Sequence, residues 1–313
     1  MCIRDRAGEI DLNLIDQNIS NIQGDVLLRN FDIQRNQNEH YRLDSLFIHS
    51  ELAADGKRHL DIESEMLNGF VDGFYDIQEV KDGVLYFVER NYPLIAERFN
   101  IHGSGRAVKD CRFDFGLNIQ DSKNFTQLLN HRLDTLKEIE IIGHFDNQRD
   151  SIFLDMEVPY FKYDNVELVD VLFDIRGKES SSNLEFEIYH TNWNGQRFEP
   201  ITLEGELEHD TLFFDIVSTN FTSIFDDLHL NGRFFPIEDK NYQVSFSSTD
   251  LVILKQEWTI EENNYLRFGK GFIEAKNFDL HNDEKRIVLR SLKERGLNPV
   301  SYTHLTLPTI LLV

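Results

Sequence analysis

The feature that most restricts the fold of this chain is a repeated two-residue alternation of apolar and polar side chains. Successive side chains of a β-strand point to opposite faces, so strict alternation gives a strand one apolar face and one solvated face. The pattern recurs in residues 60–66, 112–119, 152–157, 184–188 and 203–208, mostly with acidic residues at the polar positions. The sequence therefore predicts a mainly β protein built from half-buried strands.

Short turn signals separate these segments, and no Ser/Gly linker or low-complexity run divides the chain. The turn signals are Asp55-Gly56, Asp82-Gly83, Arg176-Gly177-Lys178 and Asn194-Gly195. The chain has only 6 prolines, so few strands are interrupted by a residue that cannot donate to a ladder. We predict one continuous, elongated and repetitive β-sheet rather than separate domains.

Two stretches depart from the alternation and show helical spacing instead. Residues 80–99 carry apolar side chains at helical intervals, with Pro93 interrupting the continuity of the helix. Residues 122–136 begin at Ser122, a suitable N-cap. Their apolar stripe consists of Phe125, Leu128, Leu129, Leu133 and Leu136. The sequence thus predicts one or two short helices around 80–99 and 122–136.

An internal repeat indicates modular growth of the sheet. Residues 24–33 match residues 271–280 at the glycine, a β-branched position, a basic position, the run Asn-Phe-Asp and the final aliphatic residue. Two distant copies of one strand pattern are typical of a strand module that recurs along an extended protein.

The two ends of the chain are expected to be foreign to the protein. Residues 1–5 can be encoded by a nucleotide string whose reverse complement encodes residues 300–304, as in a translated sequencing adapter. We therefore treat residues 1–6 and 300–313 as adapter-derived and residues 7–299 as the protein. On this interpretation Cys111 is the only genuine cysteine, the apolar residues 310–313 are not an anchor, and the lack of a signal peptide says nothing about export.

The charge and the motifs exclude several classes of function. A formal net charge of -23 repels phosphate backbones, so we do not expect a nucleic-acid partner. The 11 histidines never fall at metal-ligand spacing, and one genuine cysteine cannot form a thiolate zinc site. We therefore expect no catalytic residues, no metal, no cofactor and no enzyme activity. No run of about 18 apolar residues is present, so we expect no membrane span in this segment.

Five segments near the C-terminus resemble the repeating unit of the TamB group of AsmA-like envelope proteins, in its Bacteroidetes-type form. They are residues 230–234, 242–246, 257–260, the pair Asn263-Asn264, and residues 271–280. Their order, a glycine-containing strand, a tyrosine-led strand, a tryptophan turn, an asparagine pair and an Asn-Phe-Asp-Leu strand, is similar to that unit. The helical interruptions between residues 80 and 136 are also in keeping with this subgroup.

This resemblance implies a β-taco, a long sheet folded into a groove that is apolar inside and polar outside. Such a protein bridges the periplasm and transfers phospholipids, whose acyl chains lie in the groove, and it can also aid assembly of outer-membrane proteins. The present chain would then be an interior segment of a protein anchored in the inner membrane. The N-terminal anchor and the C-terminal region that meets an outer-membrane barrel protein would lie outside it.

The apolar positions of the alternating segments are the candidates for the groove lining. An acyl chain transferred from water to such a face gains about 0.8 kcal/mol per CH₂, while no polar contact fixes its position. The candidates are Phe113, Phe115, Leu117, Leu154, Met156, Phe186, Ile188, Leu203, Leu207, Phe214, Ile216, Val244 and Phe246.

Two other interpretations stay open at this point. The same side chains can pack against one another in a dry core, which would make the protein a structural or adhesive β-solenoid without a ligand. A carbohydrate-active enzyme on a β-scaffold would need two carboxylates converging in one cleft, whereas the acids here alternate with apolar residues as a solvated face does.

Overall fold

The computed structural model describes residues 2–4, 7–14, 22–34, 40–102, 110–120, 132–219, 227–237, 241–249, 251–253, 255–269, 272–282, 285–291 and 301–305. Over these residues the protein is mainly β, 71% strand, with a long open antiparallel sheet and two short helices. The predicted fold class is thereby confirmed.

The N-terminal half of the sheet and the helices have the following bounds. They are β1 (Cys2–Arg4), β2 (Ala7–Leu14), β3 (Ile22–Gln34), β4 (His40–Leu52), β5 (Arg58–Ser64), β6 (Leu67–Phe74), α1 (Val80–Asn91), α2 (Pro93–Phe99), β7 (Arg112–Ile119), β8 (Leu133–Leu136), β9 (Ile139–Asp146), β10 (Ser151–Tyr163) and β11 (Val166–Lys178).

In the described residues of the C-terminal half the regular elements are all strands. They are β12 (Ser181–Trp193), β13 (Gln196–Phe198), β14 (Ile201–Glu208), β15 (Thr211–Thr219), β16 (Asp227–Ile237), β17 (Asn241–Thr249), β18 (Leu251–Ile253), β19 (Gln256–Ile260), β20 (Tyr265–Gly269), β21 (Phe272–Lys276), β22 (Phe278–His281), β23 (Arg286–Ser291) and β24 (Ser301–Leu305).

The main sheet is a meander in which nearly every strand pairs with its neighbours in the chain. The antiparallel order is β2, β3, β4, β5, β6, β7, β9, β10, β11, β12, β14, β15, β16, β17, β20 and β21. The short strands β1, β8 and β13 pair with the free ends of β3, β10 and β12. Within the described part of the chain β2 pairs only with β3 and β21 only with β20, so the sheet is open.

A second sheet follows at the C-terminal end, in the order β18, β19, β22, β23 and β24. Its first two strands lie against β16 and β17. The segments expected to be adapter-derived contribute β1 and β24. Strand pairing does not reveal where a sequence originates, so their foreign origin stays a prediction.

The helical prediction for residues 80–99 is confirmed, and Pro93 divides it as expected. Tyr92 leaves the helical region with φ -136° and ψ 65°, and Pro93 then begins α2. The turn predicted at Asp82-Gly83 is wrong, because both residues lie inside α1. The turn predicted at Arg176-Gly177-Lys178 is also wrong, since β11 continues to Lys178. The turns at Asp55-Gly56 and Asn194-Gly195 are confirmed.

The helix predicted for residues 122–136 is wrong at its C-terminal end, where Leu133–Leu136 is strand β8. Residues 121–131 lie outside the described part of the chain. Leu133 is paired with Tyr163 and Leu136 with Phe161, and the register shifts between Lys162 and Tyr163. The extra residue of this bulge turns both leucines to the same side although they are three positions apart, which imitates helical spacing.

Three residues in or between strands adopt a left-handed backbone conformation. Asn30 has φ 52°, Asp170 has φ 47° and Asn277 has φ 49°. Asn30 is skipped in the pairing of β3 and Asp170 in the pairing of β11, whereas Asn277 separates β21 from β22. Asn30 and Asn277 hold equivalent positions in the two copies of the internal repeat, so the copies share this kink as well as their sequence. Asparagine and aspartate tolerate this conformation better than most residues.

Candidate functional site: an apolar face that crosses the sheet

The strand register places all thirteen candidate residues on one side of the main sheet. Residues directly opposite each other in an antiparallel ladder point to the same side, so the pairs can be followed from strand to strand. Phe115 is opposite Gly143, which is opposite Leu154, and the same step repeats as far as Phe246. We call this side the apolar face and the opposite side the acidic face.

The apolar face consists of four rows that run perpendicular to the strands. The first row is Phe113, Phe145, Ile152, Gly177, Ser182, Leu207, Leu212, Phe234 and Val244. The second row is Phe115, Gly143, Leu154, Ile175, Leu184, Gly205, Phe214, Gly232 and Phe246. The third row is Leu117, Ile141, Met156, Phe173, Phe186, Leu203, Ile216 and Leu230. The fourth row includes Val158, Val171, Ile188 and Leu228.

Several members of these rows were missed by the sequence analysis. They include Phe145, Ile152, Phe173, Ile175, Leu184, Leu212 and Phe234. Ile152 and Leu184 begin alternating segments, but in the strands of the others the opposite face also carries apolar side chains, such as Ile142, Leu172 and Phe213. The alternation is therefore blurred there, and only the register reveals which apolar residue faces which side.

Glycines in the second row leave room for large neighbours. A β-carbon added to Gly143 would lie 2.4 Å from Cζ of Phe115, so the phenyl ring lies over the glycine backbone. At Gly232 an added β-carbon would lie 3.0 Å from Cζ of Phe214. The rings consequently fill the spaces between strands.

The helices pack against part of the first row, namely Phe113, Phe145, Ile152 and Leu207. Phe87, Tyr92, Cys111, Phe113 and Phe145 form one buried cluster, in which the rings of Phe87 and Phe145 meet edge to face at 5.7 Å. Burial raises the pKa of Cys111 to about 11, so its thiol is protonated at neutral pH and less reactive than an exposed cysteine. This cluster is a dry contact between helix and sheet along one edge of the apolar face.

Polar contacts fix the helices above three separate strands or turns. The Tyr92 hydroxyl and Oγ of Ser182 are hydrogen-bonded at 2.5 Å. Oδ1 of Asp210 accepts the backbone N–H of Ile95 at 3.0 Å, which caps an N-terminus that has no side-chain cap of its own. Nε of Arg98 donates to the Tyr242 hydroxyl at 2.8 Å. The α1–α2 pair therefore extends from β7 to β17 along the edge of the face.

A short arm of the sheet covers the fourth row. It comprises β8 and the ends of β10, β11 and β12 beyond the bend at Asp170. Leu133 and Leu136 are buried with Val158 and Val171. Partly buried side chains from both sides of the bend pack around them, namely Phe161, Tyr163, Leu168, Met156, Phe186 and Ile188. The short arm thus packs onto the apolar face at the edge opposite the helices.

Most members of the second and third rows are partly buried, and of these Phe115 packs against the helix cluster while Met156 and Phe186 pack against the short-arm cluster. Of the thirteen candidates, Phe113 and Phe214 alone are buried, with 8% and 9% of their surface exposed. On β10, Ile152 packs against the helix cluster and Met156 against the short-arm cluster, with Leu154 between them. Four residues of strand measure about 13 Å, so an apolar strip of roughly this width lies between the two clusters.

The acidic face is chemically distinct. Five carboxylates stand directly opposite one another across five strands, namely Asp155, Asp174, Glu185, Glu204 and Asp215. Like charges in such a row repel each other, and the hydrogen bond from Nε of Arg176 to Asp174, 3.0 Å long, offsets only a part of this repulsion. The predicted division into one apolar and one acidic side is observed along the strands.

One imidazole on this face has a raised pKa. Nδ1 of His49 and Oδ1 of Asp25 are hydrogen-bonded at 2.6 Å, and this bond raises the pKa of His49 above its ordinary value of 6.5. Because the pKa of His49 is higher in the folded than in the unfolded state, its protonation stabilises the fold fully below pH 6.5, and this stabilisation is lost as the pH rises through the raised pKa.

The D25N variant should lower the pKa of His49 in an NMR titration, whereas D174N on β11 should not change it. An unaltered His49 pKa in D25N would contradict this assignment.

The described residues contain no group of three or more His, Cys, Asp or Glu side chains arranged to hold a metal ion. Within the same ranges, no helix has both the length and the apolar character needed to cross a bilayer. Comparison of the chain with protein-family models, with curated proteins and with solved structures finds no match.

Proposed function

We propose that this chain is an interior segment of a TamB-like lipid-transfer protein of the bacterial envelope, in which acyl chains lie on the apolar face. The observation that carries the proposal is the continuity of the second and third rows, which cross the sheet from β7 to β16 and whose side chains are mostly only partly buried. A dry β-solenoid would instead be expected to bury these rows completely.

The dimensions of the rows suit a hydrocarbon chain. From Phe115 to Phe246 the second row crosses nine strands, and eight spacings of about 4.8 Å give a length of roughly 38 Å. One leaflet of a bilayer has a hydrocarbon thickness of about 15 Å. An acyl chain lying along the row therefore meets only apolar side chains and glycines, and it can move from strand to strand without breaking a hydrogen bond.

The energetics favour holding a lipid without fixing it. Each buried CH₂ contributes about 0.8 kcal/mol, and this contribution is nearly the same at every position along the row. The acidic face meanwhile keeps the exposed side of the sheet solvated and discourages unintended strand pairing. In the proposed setting the protein works in the periplasm and is anchored in the inner membrane. Regions outside this chain would contact that membrane and an outer-membrane barrel protein, and would aid barrel assembly.

Photo-crosslinking tests the proposal residue by residue. A photoreactive amino acid at Phe115, Phe186 or Phe246 should capture phospholipid in cells, because these side chains belong to the apolar rows. The same group at Asp114 or Glu187, which are neighbours in sequence on the acidic face, should capture little. Equal capture on both faces, or none on either, would rule out a lipid-binding apolar face.

A further inference from the structure

On the acidic face Phe70, Gly116 and Ile142 form an apolar platform. These residues are directly opposite one another on β6, β7 and β9. A β-carbon added to Gly116 would lie 2.4 Å from Cε1 of Phe70, so one side of the phenyl ring rests on the glycine. Phe70 is 42% exposed and Ile142 is 43% exposed, so the platform is open to solvent.

A polar row runs beside this platform. Glu63 is opposite Asn68, Asn68 is opposite Asn118, and Asn118 is opposite Glu140. The row therefore has two amides in its centre and a carboxylate at each end. Together with the platform and Asp61 it lines a depression of about 470 Å³.

The carboxylates of the row retain capacity to bind a ligand. The amide of Asn118 does not, because its Nδ2 donates to Oε1 of Glu138 at 2.7 Å and its Oδ1 is buried. Glu63 and Glu140 are both exposed, and neither forms an ion pair with the part of the chain that the structure describes. The depression thus presents two exposed carboxylates beside an exposed aromatic ring.

The spacing of the two carboxylates matches an extended peptide. Glu63 and Glu140 are three strand spacings apart, which is about 14 Å. In an extended chain, residues i and i+4 are about 13 Å apart and point to the same side, with residue i+2 between them. Two cations at i and i+4 can therefore reach the two carboxylates while the side chain at i+2 rests on Phe70 and Ile142.

We propose that this surface binds an extended segment of a partner protein with lysine or arginine at positions i and i+4 and an apolar residue at i+2. The side-chain amide of Asn68 hydrogen-bonds to the peptide backbone. The net charge of -23 attracts such a basic partner from a distance. This site lies on the face opposite the apolar rows, so its failure would leave the proposed lipid function untouched.

A labelled peptide of sequence Ser-Lys-Ser-Leu-Ser-Lys-Ser tests the proposal by fluorescence anisotropy with the whole chain. A peptide of the same composition with adjacent lysines, Ser-Lys-Lys-Ser-Leu-Ser-Ser, should bind more weakly. E63Q and E140Q should each weaken binding of the first peptide by about two- to fivefold, as expected for exposed ion pairs, and the double variant should weaken it further.

The variant E185Q/E204Q removes the same number of charges from the same face at β12 and β14, and it should leave binding unchanged. F70A should weaken binding if circular dichroism shows that it keeps the strand content of the parent chain. Equal binding of the two peptides, or equal loss in E63Q/E140Q and E185Q/E204Q, would show non-specific attraction to an acidic surface and overturn the proposal. Absence of binding by the first peptide would overturn it too.

Discussion

Replacing Leu154 with aspartate is expected to reduce binding of a fluorescent fatty acid to this protein by about tenfold or more. Leu154 is a member of the second row and lies on β10 between Ile152, which packs against the helix cluster, and Met156, which packs against the short-arm cluster. A carboxylate there must either lose its hydration when an acyl chain covers it or keep water in the row. Both cost more free energy than the contact of one leucine returns, because burial of an unpaired charge costs several kcal/mol.

L172D is the matched control for L154D. Leu172 is the same residue type on the adjacent strand β11, but it belongs to the acidic face and is 43% exposed. L172D should bind the fatty acid as the parent chain does. Thermal unfolding of both variants shows whether a loss of binding reflects the loss of the fold, and the uncharged variant L154N provides a milder change at the same position.

Fatty-acid binding by L154D that equals that of the parent chain would exclude the second row as the site. Equal loss in L154D and L172D would point to a general effect of added charge. If the delipidated parent chain stays folded and binds no fatty acid at all, the structural or adhesive solenoid becomes the better account. The apolar rows would then be covered by other segments of protein.

Truncation of Phe87 to alanine should lower the free energy of unfolding by about 3 to 5 kcal/mol. Phe87 is 2% exposed and packs edge to face against Phe145 and Tyr92. Its removal leaves a cavity in the cluster that joins α1 to the first row of the sheet. Since three polar contacts also fix the helices, they should remain helical but be held less tightly.

Urea denaturation followed by circular dichroism measures this change, and limited proteolysis within residues 80–99 reports on the docking of the helices. Y86A is the control, because Tyr86 precedes Phe87 on α1 but is 40% exposed and contacts Arg90 rather than the sheet. Y86A should cost well under half as much as F87A. Similar losses in the two variants would mean that the helix cluster does not stabilise the fold as described.

The helices and the short arm define which part of the apolar face is accessible. Where the two clusters lie, the packing is what the solenoid interpretation expects of the whole face. Away from them, Leu212, Phe234 and Val244 of the first row and most members of the second and third rows are only partly buried. Lipid transfer and a dry core are thus distinguished by this partly buried region, and L154D, with photo-crosslinking at Phe246, tests it directly.

Asn264, the second residue of the Asn263-Asn264 pair, connects neighbouring strands through its side chain. Asn264 is 3% exposed, and its side chain donates to the carbonyls of Phe246 and Glu261 at 2.8 Å and accepts the N–H of Phe246 at 3.0 Å. Between the end of β19 and the start of β20, the side chain of Asn264 thus takes the place of a backbone hydrogen-bond partner for Phe246. The sequence marks this position as unusual, but the hydrogen bonds require the neighbouring strand β17.

The sequence by itself determined the strands and the side to which most of their apolar residues point. Alternation has a period of two, and an antiparallel ladder keeps opposite residues on one side, so thirteen positions chosen from separate segments could be assigned to one face. The helical segment at 80–99 was likewise readable, since its spacing is local.

Only the tertiary structure decided which rows are covered and which stay half-exposed. Burial by α1, α2 and the short arm depends on contacts between residues far apart in the chain, such as Tyr92 with Ser182 and Ile95 with Asp210. The bulge that makes Leu133 and Leu136 strand rather than helix also depends on a partner strand, β10. The spacing of apolar residues in the sequence indicates the local conformation of a segment, whereas pairing with distant strands decides what that segment packs against.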